Sequence, residues 1–119
     1  MLHYSKLQVW QHSHKLVLDV YRASQSLPAV ERYGLTSQLR RAALSVPTNI
    51  AEGSKRVAPN EYARFLNIAE GSLSETQYLI LVGRDLGYIP KELARQHLGE
   101  TSELLRMLHG LREKIQNDG

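Results

Sequence analysis

Apolar side chains recur along this chain at steps of three and four residues in four stretches, the spacing of one face of an α-helix. In the first, Leu7, Trp10, His14, Val17 and Tyr21 form one stripe. A second stripe, Val9, Leu16, Val20, Ala23 and Leu27, widens the apolar face, and Pro28 closes the segment. Ser5-Lys6-Leu7-Gln8 has the spacing of a capping box, so a helix is expected over about residues 6–27. The second stretch, about 36–54, carries Leu39, Ala42, Ala43, Val46 and Ile50. Pro47 lies inside it, lacks an N–H and crowds the carbonyl of Ala43, which predicts a kink.

The third stretch, about 59–86, opens on Pro59, whose fixed φ suits a first helical position, with Glu61 near the positive helix end. It continues through Tyr62, Phe65, Leu66, Ala69, Leu73, Thr76, Ile80, Gly83 and Leu86, and Gly87 is the residue type that stops helices. The fourth, about 90–115, starts at Pro90 and carries Leu93, His97, Leu98, Thr101, Leu104, Leu105, Leu108, Leu111 and Ile115. Residues 117–119 are expected to fray. The one β-rich run, 78–82, lies within a continuing helical period. Short connections make consecutive helices antiparallel neighbours. The expected fold is one all-α domain over residues 1–119, an antiparallel up-down-up-down four-helix bundle with its second helix kinked near Pro47.

One hexapeptide occurs twice, as Asn49-Ile50-Ala51-Glu52-Gly53-Ser54 and as Asn67-Ile68-Ala69-Glu70-Gly71-Ser72. Glycine inside a helix costs about 1 kcal/mol relative to alanine, so something must compensate. Close helix packing at Ala51, Gly53, Ala69 and Gly71 is one reading, and a glycine-based ligand site is the other. Phosphate-loop and dinucleotide glycine spacings are both missing.

Composition narrows the chemistry. The 119 residues contain no cysteine, which excludes disulfides and thiolate catalysis and is compatible with a reducing cytoplasm, the expected compartment. No apolar run approaches the ~18 residues of a membrane span, and the N-terminal residues lack an export leader, so no membrane association is expected. A di-iron bundle site needs Glu-x-x-His on two helices. The residues three before His12, His14, His97 and His109 are Val9, Gln11, Ala94 and Arg106, so that motif never occurs. His12 and His14 point to nearly opposite sides of a helix, and His14 and His97 on apolar stripes read as hydrogen-bonded core or boundary residues. No Gly-x-Ser-x-Gly turn is present. No catalytic residue, metal or cofactor is expected.

Charge is more informative. The formal net charge is +3, but residues 1–60 hold 8 basic and 3 acidic side chains, a net of +5, while residues 61–119 carry −2. The excess gathers at Arg40, Arg41, Lys55 and Arg56, followed by Arg64. Such a cluster can neutralise phosphates or be a solvated face, and no aromatic residues interleave with it in sequence. On the outward side of the second helix, Ser37, Arg41, Leu44 and Thr48 share a face with Arg40 and Ala51. An outward Leu among small residues and arginines suits a subunit interface.

Several blocks carry a likeness to a known family. Tyr33-Gly34-Leu35-Thr36-Ser37-Gln38-Leu39-Arg40-Arg41-Ala42-Ala43, then Ser45-Val46-Pro47 and Asn49-Ile50-Ala51-Glu52-Gly53, form the most specific block. Glu61-Tyr62-Ala63-Arg64-Phe65-Leu66, Gly71-Ser72-Leu73-Ser74-Glu75, Asp85-Leu86-Gly87-Tyr88-Ile89 and the opening Leu7-Gln8-Val9-Trp10 with Leu18-Asp19-Val20-Tyr21 add to it. Together they resemble the small bacterial four-helix bundle proteins, or large-subunit rRNA intervening-sequence proteins. That resemblance implies a bundle assembling into a ring-like cytosolic homopentamer and implies no particular activity. More distantly, the chain is similar to the accessory proteins of diversity-generating retroelements, basic pentamers that bind nucleic acid and a reverse transcriptase. One departure is Ala58, where relatives tend to place a capping Ser or Thr. The combined expectation is a non-catalytic homopentamer that binds RNA or DNA through Arg40, Arg41, Lys55, Arg56 and Arg64. The alternative is a protein–protein adaptor with no nucleic-acid role.

Overall fold

In the computed structural model, which describes residues 3–118, the four stretches form α1 (Gln8–Ser24), α2 (Leu35–Ser54), α3 (Pro59–Asp85) and α4 (Lys91–Asp118). Short 3-10 turns at Tyr4–Lys6 and Ala29–Glu31 precede α1 and α2, and the described residues contain no strand. α4 continues through Asp118, so Asn117 and Asp118 are helical where fraying was expected, and Gly119 lies outside the described residues.

The helix ends show how local sequence sets the boundaries. The capping box expected at Ser5 does not form, because the 3-10 turn takes up that residue and α1 begins later with Leu7 as its N-cap. The Ser5 hydroxyl pairs instead with His3 Nδ1 at 2.8 Å. Pro59 occupies the first turn of α3 behind Ala58, which supplies no side-chain cap. At the other end Gly87 adopts φ 79°, the left-handed conformation. The Tyr88 N–H then donates to the Gly83 carbonyl at 2.8 Å and the Gly87 N–H to the Arg84 carbonyl at 3.0 Å, completing a Schellman motif. Pro47 is buried inside α2 without ending it. The Thr48 hydroxyl donates to the Leu44 carbonyl and Asn49 Nδ2 to the Ser45 carbonyl, both at 2.8 Å, in the region where the proline removes a backbone donor.

Packing follows a square. α1 meets α2 and α4, α3 meets α2 and α4, and the diagonal pairs make no close approach. Cross-helix partners run in opposite senses: Ser45 meets Ser72 while Gly53 faces Tyr62, and Gln77 reaches Thr101 while Glu70 reaches Arg112. Leu16, Leu39, Ile50, Leu66, Leu73, Ile80, Leu104 and Leu108 fill the centre. Thr76 and Thr101 are buried among them, and their hydroxyls donate to the carbonyls of Ser72 and Leu98, so neither is left unsatisfied. No described helix is long and apolar enough to cross a membrane.

Two expectations about facing change. In α1, Val9, Leu16, Val20 and Ala23 are buried together with Val17 of the first stripe, whereas Trp10, Tyr21 and the N-cap Leu7 are half-buried and His14 is exposed. Ser13 and Ser24 turn inward because their hydroxyls donate to the Trp10 and Tyr21 carbonyls, which leaves the aromatic edge at the boundary. The two hexapeptides are also presented differently. Ala51 is half-buried and Ala69 fully buried, and Gly53 packs tightly against Tyr62 and Phe65. Gly71 does not close-pack: it is exposed, and open space lies where a Cβ would stand. The second copy is rotated so that Ala69 faces inward, Ile68 outward and Glu70 toward α4.

Candidate interaction surface

The charged and outward residues of α2 fall into two places. Ser37, Arg40, Arg41 and Leu44 line a groove of about 410 Å3 with Tyr21 of α1 and Arg32 and Tyr33 of the preceding turn. Leu44 also borders a second groove of about 420 Å3, formed with Thr48, Ala51 and Lys55 on one side and Trp10, His14 and Val17 on the other. The four residues expected at a subunit interface therefore line two grooves that share Leu44, with Ser37 and Arg41 in one and Thr48 in the other, together the α1–α2 trough. Its lining mixes apolar and charged side chains, and Leu44 retains 41% of its surface.

The cations differ in freedom. Arg40 is half-buried: its Nε donates to Ser24 Oγ at 2.7 Å and its guanidinium lies 4.6 Å over the Tyr21 ring. It thus pins α2 to α1 and is less available to a phosphate than its sequence position suggests. Arg41, Lys55 and Arg56 are exposed, and none has a carboxylate partner among the described residues. Arg56 and Arg64 stand apart from the trough at the α2–α3 turn, where both cover Phe65, at 5.0 and 4.7 Å from its ring. Arg64 is additionally paired with Glu61 at 3.4 Å.

Folding also supplies what the linear sequence lacks. Tyr21 and Tyr33 come beside Arg40 and Arg41, and Tyr33 is 86% exposed, with Arg32 5.3 Å over its ring. An exposed aromatic ring beside the exposed Arg41 can stack a base while that cation meets its phosphate. Trp10, Tyr21 and Tyr33 are the surface residues the periodicity assigned to the core or to a loop. Trp10 and His14 stack at 5.1 Å with 7° between planes, forming the α1 wall.

No curated protein matches this sequence. Among solved structures, the chain is similar to a crystal structure of a protein of unknown function from the S23 ribosomal protein family of Bacteroides thetaiotaomicron. The TM-score is 0.81 at 20% identity, over 87% of this chain and 97% of that one, a likeness of fold. The family model of the 23S rRNA-intervening sequence protein matches residues 5–110, which take in α1, α2, α3 and most of α4. The chain belongs to the 23S rRNA-intervening sequence protein family.

Proposed function

We propose that the protein is a non-catalytic bundle that self-associates, as a pentamer, through the α1–α2 trough and binds RNA on the basic surface that assembly repeats. The carrying observation is the trough itself: two adjoining grooves that share exposed Leu44 and are bordered by Arg41 and Lys55, neither of which has a carboxylate partner among the described residues. Apolar surface of this kind is stabilised by a second copy, and arginine is enriched at such contacts. Five copies multiply a charge of +3 to +15 and bring Tyr33, Arg41 and Arg56 around one assembly. Neither the family nor the structural neighbour points to a catalytic activity.

Leu44→Glu places a carboxylate on the trough floor. Light scattering is expected to show a multiple of 13.5 kDa for the parent and a single chain for the variant. An unchanged particle mass overturns the interface. Mobility shift with single-stranded and structured RNA at low salt tests the ligand. Affinity is expected to fall by about 0.7–0.9 log units per log unit of salt for each phosphate contacted, and Arg41→Ala to flatten that slope. Assembly without any RNA or DNA binding at low salt favours the adaptor reading instead.

A further inference from the structure

The α1–α4 seam is the loosest of the four, and one point in it gathers four ionisable side chains. Asp19 comes from α1, and His97 and Glu100, three residues apart on one face of α4, come from across the seam. One donor atom from each of these three lies within 4.8 Å of the others, with His97 Nδ1 at 3.7 Å from Glu100 Oε1. Lys15, one turn before Asp19, sets its ammonium 2.9 Å from Asp19 Oδ2 and 3.6 Å from Glu100 Oε2.

His97 is the anomaly. It is 5% exposed, and its Nδ1 is the one buried side-chain polar atom among the described residues with no hydrogen-bond partner. Buried polar atoms are almost always satisfied, so an orphan calls for an explanation. A separation of 3.7 Å is too long for a hydrogen bond to Glu100. Nδ1 faces the Glu100 carboxylate across that gap, with Asp19 beside it. Three potential donors then gather beside the Lys15 ammonium, with the Arg22 guanidinium 3.7 Å from the other Asp19 oxygen, Oδ1.

We propose that Asp19, His97 and Glu100 form a binding site for one divalent transition-metal ion of the zinc class, with the Lys15 ammonium as its built-in competitor. One imidazole nitrogen and two carboxylate oxygens match zinc and its neighbours, and water completes the shell. Bonds of about 2.0 Å in tetrahedral geometry hold donors about 3.3 Å apart. The His97–Glu100 pair is already close to that spacing, and rotation of the carboxylates on release of Lys15 supplies the rest. Lys15 is 63% exposed at its side chain and free to swing out. A groove of about 400 Å3, bordered by Lys15, Glu100, His12 and Glu103, gives solvent access along the seam. The Glu-x-x-His motif is absent, but its reverse, His97-x-x-Glu100, puts both groups on one helical face just as well.

The test is calorimetric titration of untagged protein with zinc chloride, with Co2+ absorption as a spectroscopic readout. One zinc per chain is expected, with no heat from Mg2+, which is poorly served by an imidazole donor. Lys15→Met is expected to bind zinc about tenfold or more tightly than the parent, because the ammonium between Asp19 and Glu100 need not be displaced. His97→Phe and Asp19→Asn are expected to weaken it by about 10–100-fold or more, as even outer ligands do at metal sites. Circular dichroism checks folding, and Asp19→Asn, a near-isosteric change at a half-buried position, carries the test if His97→Phe misfolds. Absence of zinc uptake by both the parent and Lys15→Met overturns the site, as does unaltered affinity in folded His97→Phe or Asp19→Asn.

Discussion

Gly53→Ala is expected to lower the melting temperature and Gly71→Ala to raise it, although both glycines sit in the same six-residue sequence. A Cβ on Gly53 would stand 2.7 Å from Phe65 Cβ and 3.1 Å from Tyr62 Cδ1. Phe65 Cβ is fixed to the α3 backbone, so α2 and α3 must separate rather than a side chain rotate. Overpacking of this kind costs about 1–3 kcal/mol, roughly 4–12 °C at about 4 °C per kcal/mol for a chain of this size. Gly71 has nothing within 4 Å of its absent Cβ and lies mid-helix. Alanine there gains about 0.5–1 kcal/mol by removing backbone freedom from the unfolded chain. Thermal melts followed by circular dichroism decide the matter. Shifts of the same sign in both variants would mean that helix separation at Gly53 is not the controlling contact.

That contrast marks how far sequence reasoning reaches in this molecule. Helix number and order follow from a 3.6-residue period, because burying one stripe of each helix is the dominant local demand. In α2, Leu39, Ala42, Ala43, Val46 and Ile50 are buried as their spacing predicts. Facing is harder wherever two stripes compete. α1 carries two adjacent apolar rows, and which one turns inward depends on α2 and α4, so Trp10 and His14 end at the surface trough. Ile50 is fully buried and Ile68, its twin in the repeat, is 40% exposed, because the packing partners rather than the local residues set rotation. The trough's outward residues on α2 were legible from one helix's face. The stacking of Arg40 on Tyr21 and the meeting of Asp19 with His97 join residues far apart in sequence and need the tertiary fold.

Glu70 turns into the α3–α4 seam, where Arg112 approaches its two oxygens with Nε and Nη2, at 2.5 and 3.4 Å. Their side chains are only 16% and 21% exposed. The hydrogen bond and charge of Glu70 raise the Arg112 guanidinium above its ordinary value. Exposed ion pairs contribute below about 1 kcal/mol, whereas breaking a fully buried one costs about 3–5 kcal/mol. A pair at this depth falls between them, so Arg112→Met is expected to cost about 2 kcal/mol by leaving a half-buried carboxylate with the His109 ring, 3.9 Å away, as its nearest remaining basic group among the described residues. Glu52, the matching residue of the first copy, is exposed. Glu52→Gln is expected to change stability by less than about 0.5 kcal/mol. Glu70→Leu combined with Arg112→Met is expected to be more stable than the sum of the single losses, because neither charge is then stranded. Denaturant titration of the four proteins in that cycle measures the coupling. Strict additivity would mean that Glu70 and Arg112 lie side by side without holding α3 to α4.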